Sequence, residues 1–183
     1  MSPMAERIIL VGMMGAGKTT VGAALAARLG WHHLDSDAQV MADTGRTVPE
    51  LFSEEGESIF RAAESRVLAA ALGGDASVVV SAAGGVVLSA ENRSLLARSG
   101  TVVWLRADPE LLVRRVGSGV GRPLLEDDPA TRLVSLEQER RPLYQSLATV
   151  VVDVDHLSPD QVVERILNDP GVVALTVGRA GGT

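Results

Sequence analysis

Of the 17 lysine and arginine residues in the chain, one alone is lysine, and it is Lys18. It stands in Gly12-Met13-Met14-Gly15-Ala16-Gly17-Lys18-Thr19, the spacing G-x-x-x-x-G-K-[ST], whose glycines let main-chain N–H groups close around a phosphate. In that pattern Lys18 reaches the outer phosphates of a nucleotide, and the Thr19 hydroxyl can ligate a magnesium ion. A compact, flexible ammonium suits that task in a chain that otherwise uses arginine. Met13 and Met14 read as packing within the loop. Asp35 and Asp37 follow. Many nucleotide hydrolases hold magnesium through an Asp at the end of the strand that corresponds here to 78–80. This chain has Ser81-Ala82 there, so the carboxylate must come from elsewhere, and Asp35-x-Asp37 is the nearest candidate by topology. If the strand persists, both acids point to one side, one toward the metal and one toward a substrate hydroxyl. The alternative is an Asx-type cap on the next helix.

Several arginines carry the remaining chemistry. Arg140 falls four residues past Leu136, on the apolar stripe that Leu133 and Leu136 begin. An inward guanidinium needs an anionic partner, unless the stripe bends away at Pro142 and leaves Arg140 in water. Arg141 reads as its solvated neighbour. Arg61 and Glu64 are three apart and could form a surface ion pair. Phe52 and Phe60 are the two phenylalanines, core residues or the lining of a pocket. Residues 117–123 hold three glycines and Arg122, a composition suited to a mobile lid that brings an arginine over transferring phosphate, or to a plain surface loop. Arg114 and Arg115 precede it, at least one of them solvated. His32, His33 and His156 show no ligand or nucleophile spacing and read as structural; Trp31 and Trp104 read as core.

Elements alternate around these residues. Apolar runs at 8–11, 77–80, 101–105 and 149–152, with a short one ending at Asp35, predict strands. Helices are expected from Lys18 to Leu29, at 38–42, 48–52, 55–72, 89–98, 109–116, from Pro129 to a break near Pro142, and from 159 to 167. Thr47, Ser89, Asp108 and Ser158 stand where N-caps belong. Strands alternating with helices mean a parallel sheet covered on both faces. Ligands in such sheets lie beyond the carboxyl ends of the strands, so the Gly12–Thr19 loop, Asp35 with Asp37, and Gly84-Gly85 should converge on one crevice.

Length and composition bound the rest. The chain has 183 residues, 46% hydrophobic and 22% charged, which suffices for one domain with a substantial core. A net charge of −6 argues against nucleic acid held by bulk electrostatics. The absence of cysteine removes disulfides, zinc–thiolate sites and a thiol nucleophile, and fits a cytoplasmic protein. No leader-like start and no apolar stretch of membrane-spanning length is evident. From Asp169 the chain turns Pro/Gly-rich, and the tail is expected to be peripheral and partly disordered.

In order along the chain, G-x-M-G-A-G-K-T at 12–19, D-S-D at 35–37, F-R at 60–61, G-G at 84–85, G-R-P-L at 121–124 and R-x-P-L-Y at 140–144 resemble the shikimate kinases. The resemblance reaches to about Leu167. It implies an α/β/α three-layer fold of the nucleoside monophosphate kinase type with a five-stranded parallel sheet. A single domain at 1–168 would hold substrate-binding helices at about 36–72 and a lid at about 117–128, with the tail at 169–183. It implies ATP-dependent phosphorylation of the 3-hydroxyl of shikimate, with Mg2+, by a monomer in the cytoplasm, on the route to aromatic amino acids. The residues that match are Asp37, Arg61, Gly84, Gly85 and Arg140 for shikimate, with both arginines on its carboxylate, and Phe52, Phe60 and Glu64 for the walls. Gly15, Ala16, Gly17, Lys18, Thr19 and Thr20 match the phosphate loop, Thr19 holding magnesium directly and Asp35 through water. Arg122 matches the lid arginine, and Arg115 and Pro159 the pair enclosing adenine. Lys18, Asp37 and Arg122 would carry catalysis. One departure is Ala83, where the family usually has a third glycine. A kinase for another hydroxy acid such as gluconate would share loop and lid; a nucleotide switch without an acceptor would leave the arginines without a task.

Overall fold

The computed structural model describes residues 5–117, 123–125 and 128–177, with side chains as far as 173. Five strands, β1 (Arg7–Val11), β2 (His32–Asp35), β3 (Val78–Ser81), β4 (Thr101–Arg106) and β5 (Val150–Asp153), form one sheet in the order β2-β3-β1-β4-β5. Every pairing is parallel. The central strands are apolar and buried on both faces, as a sheet covered by helices on each side requires. Helices α1 (Lys18–Leu29) and α8 (Pro159–Leu167) pack side by side on one face. Helices α5 (Ala90–Ser99) and α7 (Pro129–Leu147) lie on the other, with α6 (Pro109–Val116) against α7.

Helix starts follow the caps read from the sequence: the side chains of Thr47, Ser89, Asp108 and Ser158 each accept a backbone N–H of the first turn. Between β2 and β3 lie α2 (Ser36–Thr44), α3 (Val48–Glu55) and α4 (Glu57–Gly73). They carry their own small core of Val40, Leu51, Phe60, Ala63 and Val67, separate from the large aliphatic core around the sheet.

Three expectations need correction. Helix α7 does not break at Pro142 but runs through it to Leu147. A mid-helix proline forfeits one hydrogen bond, here to the carbonyl of Gln138, an exposed residue that water can serve. The buried face Leu136, Arg140, Tyr144, Leu147 continues across it and outweighs a loss of roughly 3 kcal/mol. Second, β2 ends at Asp35 and Asp37 sits in the first turn of α2, so the two acids do not share a strand face. Third, the segment after Asp169 forms a helix, α9 (Pro170–Val177), with Val172 buried. No helix among the described residues is long and apolar enough to cross a membrane.

Candidate active site

The phosphate loop leaves β1 and enters α1 directly. Gly12 has φ 142°, and a Cβ there would lie 2.6 Å from the Leu105 carbonyl oxygen of β4, so only glycine lets the loop lie this close to the sheet. Lys18 Nζ donates to the carbonyls of Gly12 at 2.9 Å and Met13 at 3.0 Å, folding the side chain back over the loop. Thr19 Oγ1 donates to Asp35 Oδ2 at 2.5 Å. The other oxygen of Asp35 accepts from the backbone N–H groups of Asp37 and Ala38, both at 3.1 Å. Asp35 thus caps α2, as the second of its two alternatives has it, and meets the loop threonine with the same carboxylate.

A crevice of about 650 Å³ opens beside the loop. It is lined by Gly15, Gly17, Lys18, Thr19, Thr20 and Asp35 at one end, and by Asp37, Arg61, Glu64, Gly84, Gly85 and Arg140 at the other. Phe52 and Phe60, ring centroids 4.7 Å apart, line it from the side of the small core. Ala83, Pro123 and Leu124 also border it. A second, smaller hollow of about 210 Å³ adjoins the loop and holds Ala16, Arg115 and Pro159; Arg115 Nη1 donates to the Gly15 carbonyl at 3.1 Å. Arg122 lies outside the described residues, as does most of the expected lid.

Charge is distributed unevenly in the crevice. Arg140 is 1% exposed, and its Nε and Nη1 have no hydrogen-bond partner. That settles the question of the stripe: the guanidinium faces inward. Glu64 is also 1% exposed. Its Oε2 accepts from Arg61 Nη1 at 2.6 Å, while its Oε1 is unpartnered. This is a buried pair, not the surface pair that spacing alone allowed. Burial pushes the Glu64 carboxyl up to about 7, against the pull of Arg61. Arg61, 23% exposed, is lowered most by burial, yet the pull of Glu64 and Glu57 together lifts it. The guanidinium therefore stays charged, and the carboxyl keeps its proton to higher pH than a solvated glutamate does.

Other groups were not singled out by sequence. Ser36 is buried, and its hydroxyl accepts the Ala83 N–H at 2.8 Å, pinning the turn before Gly84. Tyr144 donates to the Gly84 carbonyl at 2.6 Å, and burial pushes its hydroxyl up. Both stand inside motifs that carry the family resemblance, D-S-D at 35–37 and R-x-P-L-Y at 140–144, and Tyr144 also lies one turn beyond Arg140 on the same stripe, but neither motif says what the hydroxyl bonds.

A parallel α/β/α sheet with a phosphate loop at its carboxyl edge, opening onto a crevice that holds the buried guanidinium of Arg140 and the half-buried one of Arg61, defines a nucleotide-dependent phosphotransferase of the nucleoside monophosphate kinase type. The shikimate kinase family model matches residues 14–169. A shikimate kinase of Frankia casuarinae is 49% identical over 157 residues, 86% of this chain and 69% of that protein. The solved shikimate kinase of Acinetobacter baumannii in complex with shikimate superposes with a TM-score of 0.85 at 35% identity, covering 97% of this chain and 96% of that one. A gluconokinase of Sinorhizobium meliloti, at 21% identity and a TM-score of 0.59, shares the fold. The chain belongs to the shikimate kinase family, and it is an enzyme, a kinase that uses ATP as co-substrate.

Proposed function

We infer that this chain moves the γ-phosphoryl group of ATP onto the 3-hydroxyl of shikimate, giving shikimate 3-phosphate and ADP in the biosynthesis of aromatic amino acids. The observation that carries the reading is the pair of unpartnered nitrogens on buried Arg140, in the same crevice as the phosphate loop. A desolvated cation without a full set of partners costs stability, and a small carboxylate in the crevice would supply acceptor oxygens to it. Arg61, at the same end of the crevice beside Gly85, gives the carboxylate a second cation. Gly84 and Gly85 leave room beside these arginines: a Cβ on Gly85 would collide with the Arg61 guanidinium.

In this arrangement the acceptor oxygen attacks the γ-phosphorus, the bond to the β,γ-bridging oxygen breaks, and ADP leaves. Asp37 orients the hydroxyl and takes its proton. Lys18 turns from the loop carbonyls to the phosphate oxygens, and Arg122, assigned by the family pattern, balances charge from the lid. Arg115 and Pro159 enclose the adenine. Positioning and charge neutralisation supply most of the rate.

Magnesium fits the Thr19–Asp35 pair. Both offer hard oxygen donors 2.5 Å apart. Among the described residues, no group of three or more His, Cys, Asp or Glu could hold a metal by itself. Two protein oxygens suit an ion that keeps its waters and arrives with nucleotide phosphates; bound there, it would neutralise charge on the phosphate oxygens.

The test is nucleotide turnover with and without shikimate, and with gluconate in its place. ADP release that requires shikimate and is lost in Asp37→Asn, with circular dichroism unchanged, is the expected outcome. Release driven equally by gluconate would overturn the acceptor; normal turnover in Asp37→Asn would remove its role.

A further inference from the structure

We propose that His33 and Ser81 position the metal–nucleotide half of the site, fixing the first turn of α1 against β2 so that Thr19 and Asp35 meet. The inference rests on the Thr19–Asp35 assignment above and extends it to two residues outside it.

His33 and Asp35 alternate along β2, so their side chains share a face, and Ser81 is the register partner of Asp35 on the neighbouring strand. Ser81 Oγ donates to the main-chain carbonyl of Lys18 at 2.8 Å. A serine hydroxyl has one proton. With that proton committed, the 2.9 Å contact between His33 Nε2 and Ser81 Oγ is a hydrogen bond in which Nε2–H donates. The chain His33–Ser81–Lys18 therefore ties β2 through β3 to the first residue of α1. Its two ends lie beside the functional pair: Lys18 is adjacent to Thr19, and His33 is two residues from Asp35.

Gly22 completes the arrangement. It is buried within α1, where glycine weakens a helix relative to alanine. A Cβ at this position would collide with Ser81 Oγ and come within 2.6 Å of His33 Nε2. The helix accepts a weak residue at the one place where the cross-link passes. General packing of α1 does not need the link, since Val21, Leu25 and Ala26 already bury its apolar face. What the link adds is the rotational setting of the first turn, and with it the contact between Thr19 and Asp35. This is also the strand end where many nucleotide hydrolases place a carboxylate; here a serine there holds the helix instead.

The experiment compares His33→Phe, which keeps a ring but loses the donor, His33→Gln, whose amide nitrogen can replace Nε2–H, and Ser81→Ala. Titration calorimetry with ADP across a magnesium series gives a readout independent of turnover, and steady-state kinetics give KM for ATP and for shikimate separately. His33→Phe and Ser81→Ala should each weaken magnesium-dependent ADP binding by about 3- to 10-fold, the value of one hydrogen bond, and raise KM for ATP alike. KM for shikimate should stay put, and His33→Gln should recover most of the loss. If His33→Phe leaves the magnesium dependence unchanged, weakens both substrates equally, or is not rescued by glutamine, the positioning role is wrong. Asp35→Asn separates the two levels. A raised magnesium requirement in Asp35→Asn beside a silent His33→Phe sinks only this proposal; no change in Asp35→Asn sinks the underlying metal assignment.

Discussion

The two ends of the crevice are built on opposite principles. The phosphate end is satisfied within itself: Lys18 rests on two loop carbonyls, Arg115 on a third, and Asp35 accepts from Thr19 and from two backbone N–H groups. The acid end is not. Arg140 keeps two nitrogens without partners and Glu64 one oxygen, all at nearly complete burial. A site that must bind and release a large polyanion can rest in a self-bonded state and exchange those bonds for new ones at little net cost. A site for a small monoanion has fewer contacts to gain, so it holds its cation desolvated in advance, where each new hydrogen bond counts most. The contrast teaches that binding strength at the two ends has different sources: exchange at one, relief at the other.

The largest effect should come from breaking the phosphate end. Lys18→Ala removes the ammonium that would follow charge onto the transferring oxygens, and turnover should fall by roughly 10³-fold, comparable with loss of a preorganised donor. Because Lys18 now bonds loop carbonyls that water can also serve, the fold and the melting temperature should change little. Turnover assays beside thermal melts check this, and a collapse of the melt would show that the loop leans on its lysine.

Arg140→Ala addresses the other end. Losing the buried cation should weaken shikimate by roughly 100-fold, in the range for one member of a buried charged pair, with ATP affinity nearly unchanged. It should not destabilise the protein in proportion, since the wild type already bears the burial of unpartnered nitrogens. Calorimetric titration with each compound decides it; equal weakening of both would erase the division between the two ends.

This asymmetry also governs what could be read from the chain. The phosphate end is contiguous, from Gly12 to Thr20, and its geometry is local backbone geometry, so spacing alone located it. The strand pattern and caps are local too, and the five-stranded sheet followed. The acid end comes from α2, α4, the turn after β3, and α7. Arg140 showed itself only because a charge interrupted an apolar stripe. The strength of that stripe was misjudged at Pro142, where tertiary burial overrode a local helix breaker. Asp37 kept its place in the crevice although its strand ended early, because the Asp35 cap that stops the strand also starts the helix. Ser36, Tyr144, His33 and Ser81 act through hydrogen bonds between segments 47 to 63 residues apart in sequence, which no spacing rule reveals.

The last and sharpest test of the contrast, on stability and not on turnover or affinity, is Glu64→Gln followed against pH. Burial lifts the Glu64 carboxyl from 4.5 to about 7. Below pH 4.5 it is protonated in folded and unfolded chains alike, and its ionisation costs nothing. Between 4.5 and 7 the unfolded chain releases this proton while the folded chain retains it, so stability declines as pH rises. Above about 7 both forms are ionised and the decline stops. The full loss is at most about 3 kcal/mol, from 1.36 kcal/mol per pH unit of displacement. Glutamine keeps the shape and cannot ionise, so Glu64→Gln should lack this decline. Urea unfolding at pH 5, 6, 7 and 8 should show the wild type losing stability relative to the variant up to pH 7, with the gap constant beyond. Parallel curves would mean that Arg61 holds Glu64 ionised throughout, and the acid end would then be as internally satisfied as the phosphate end.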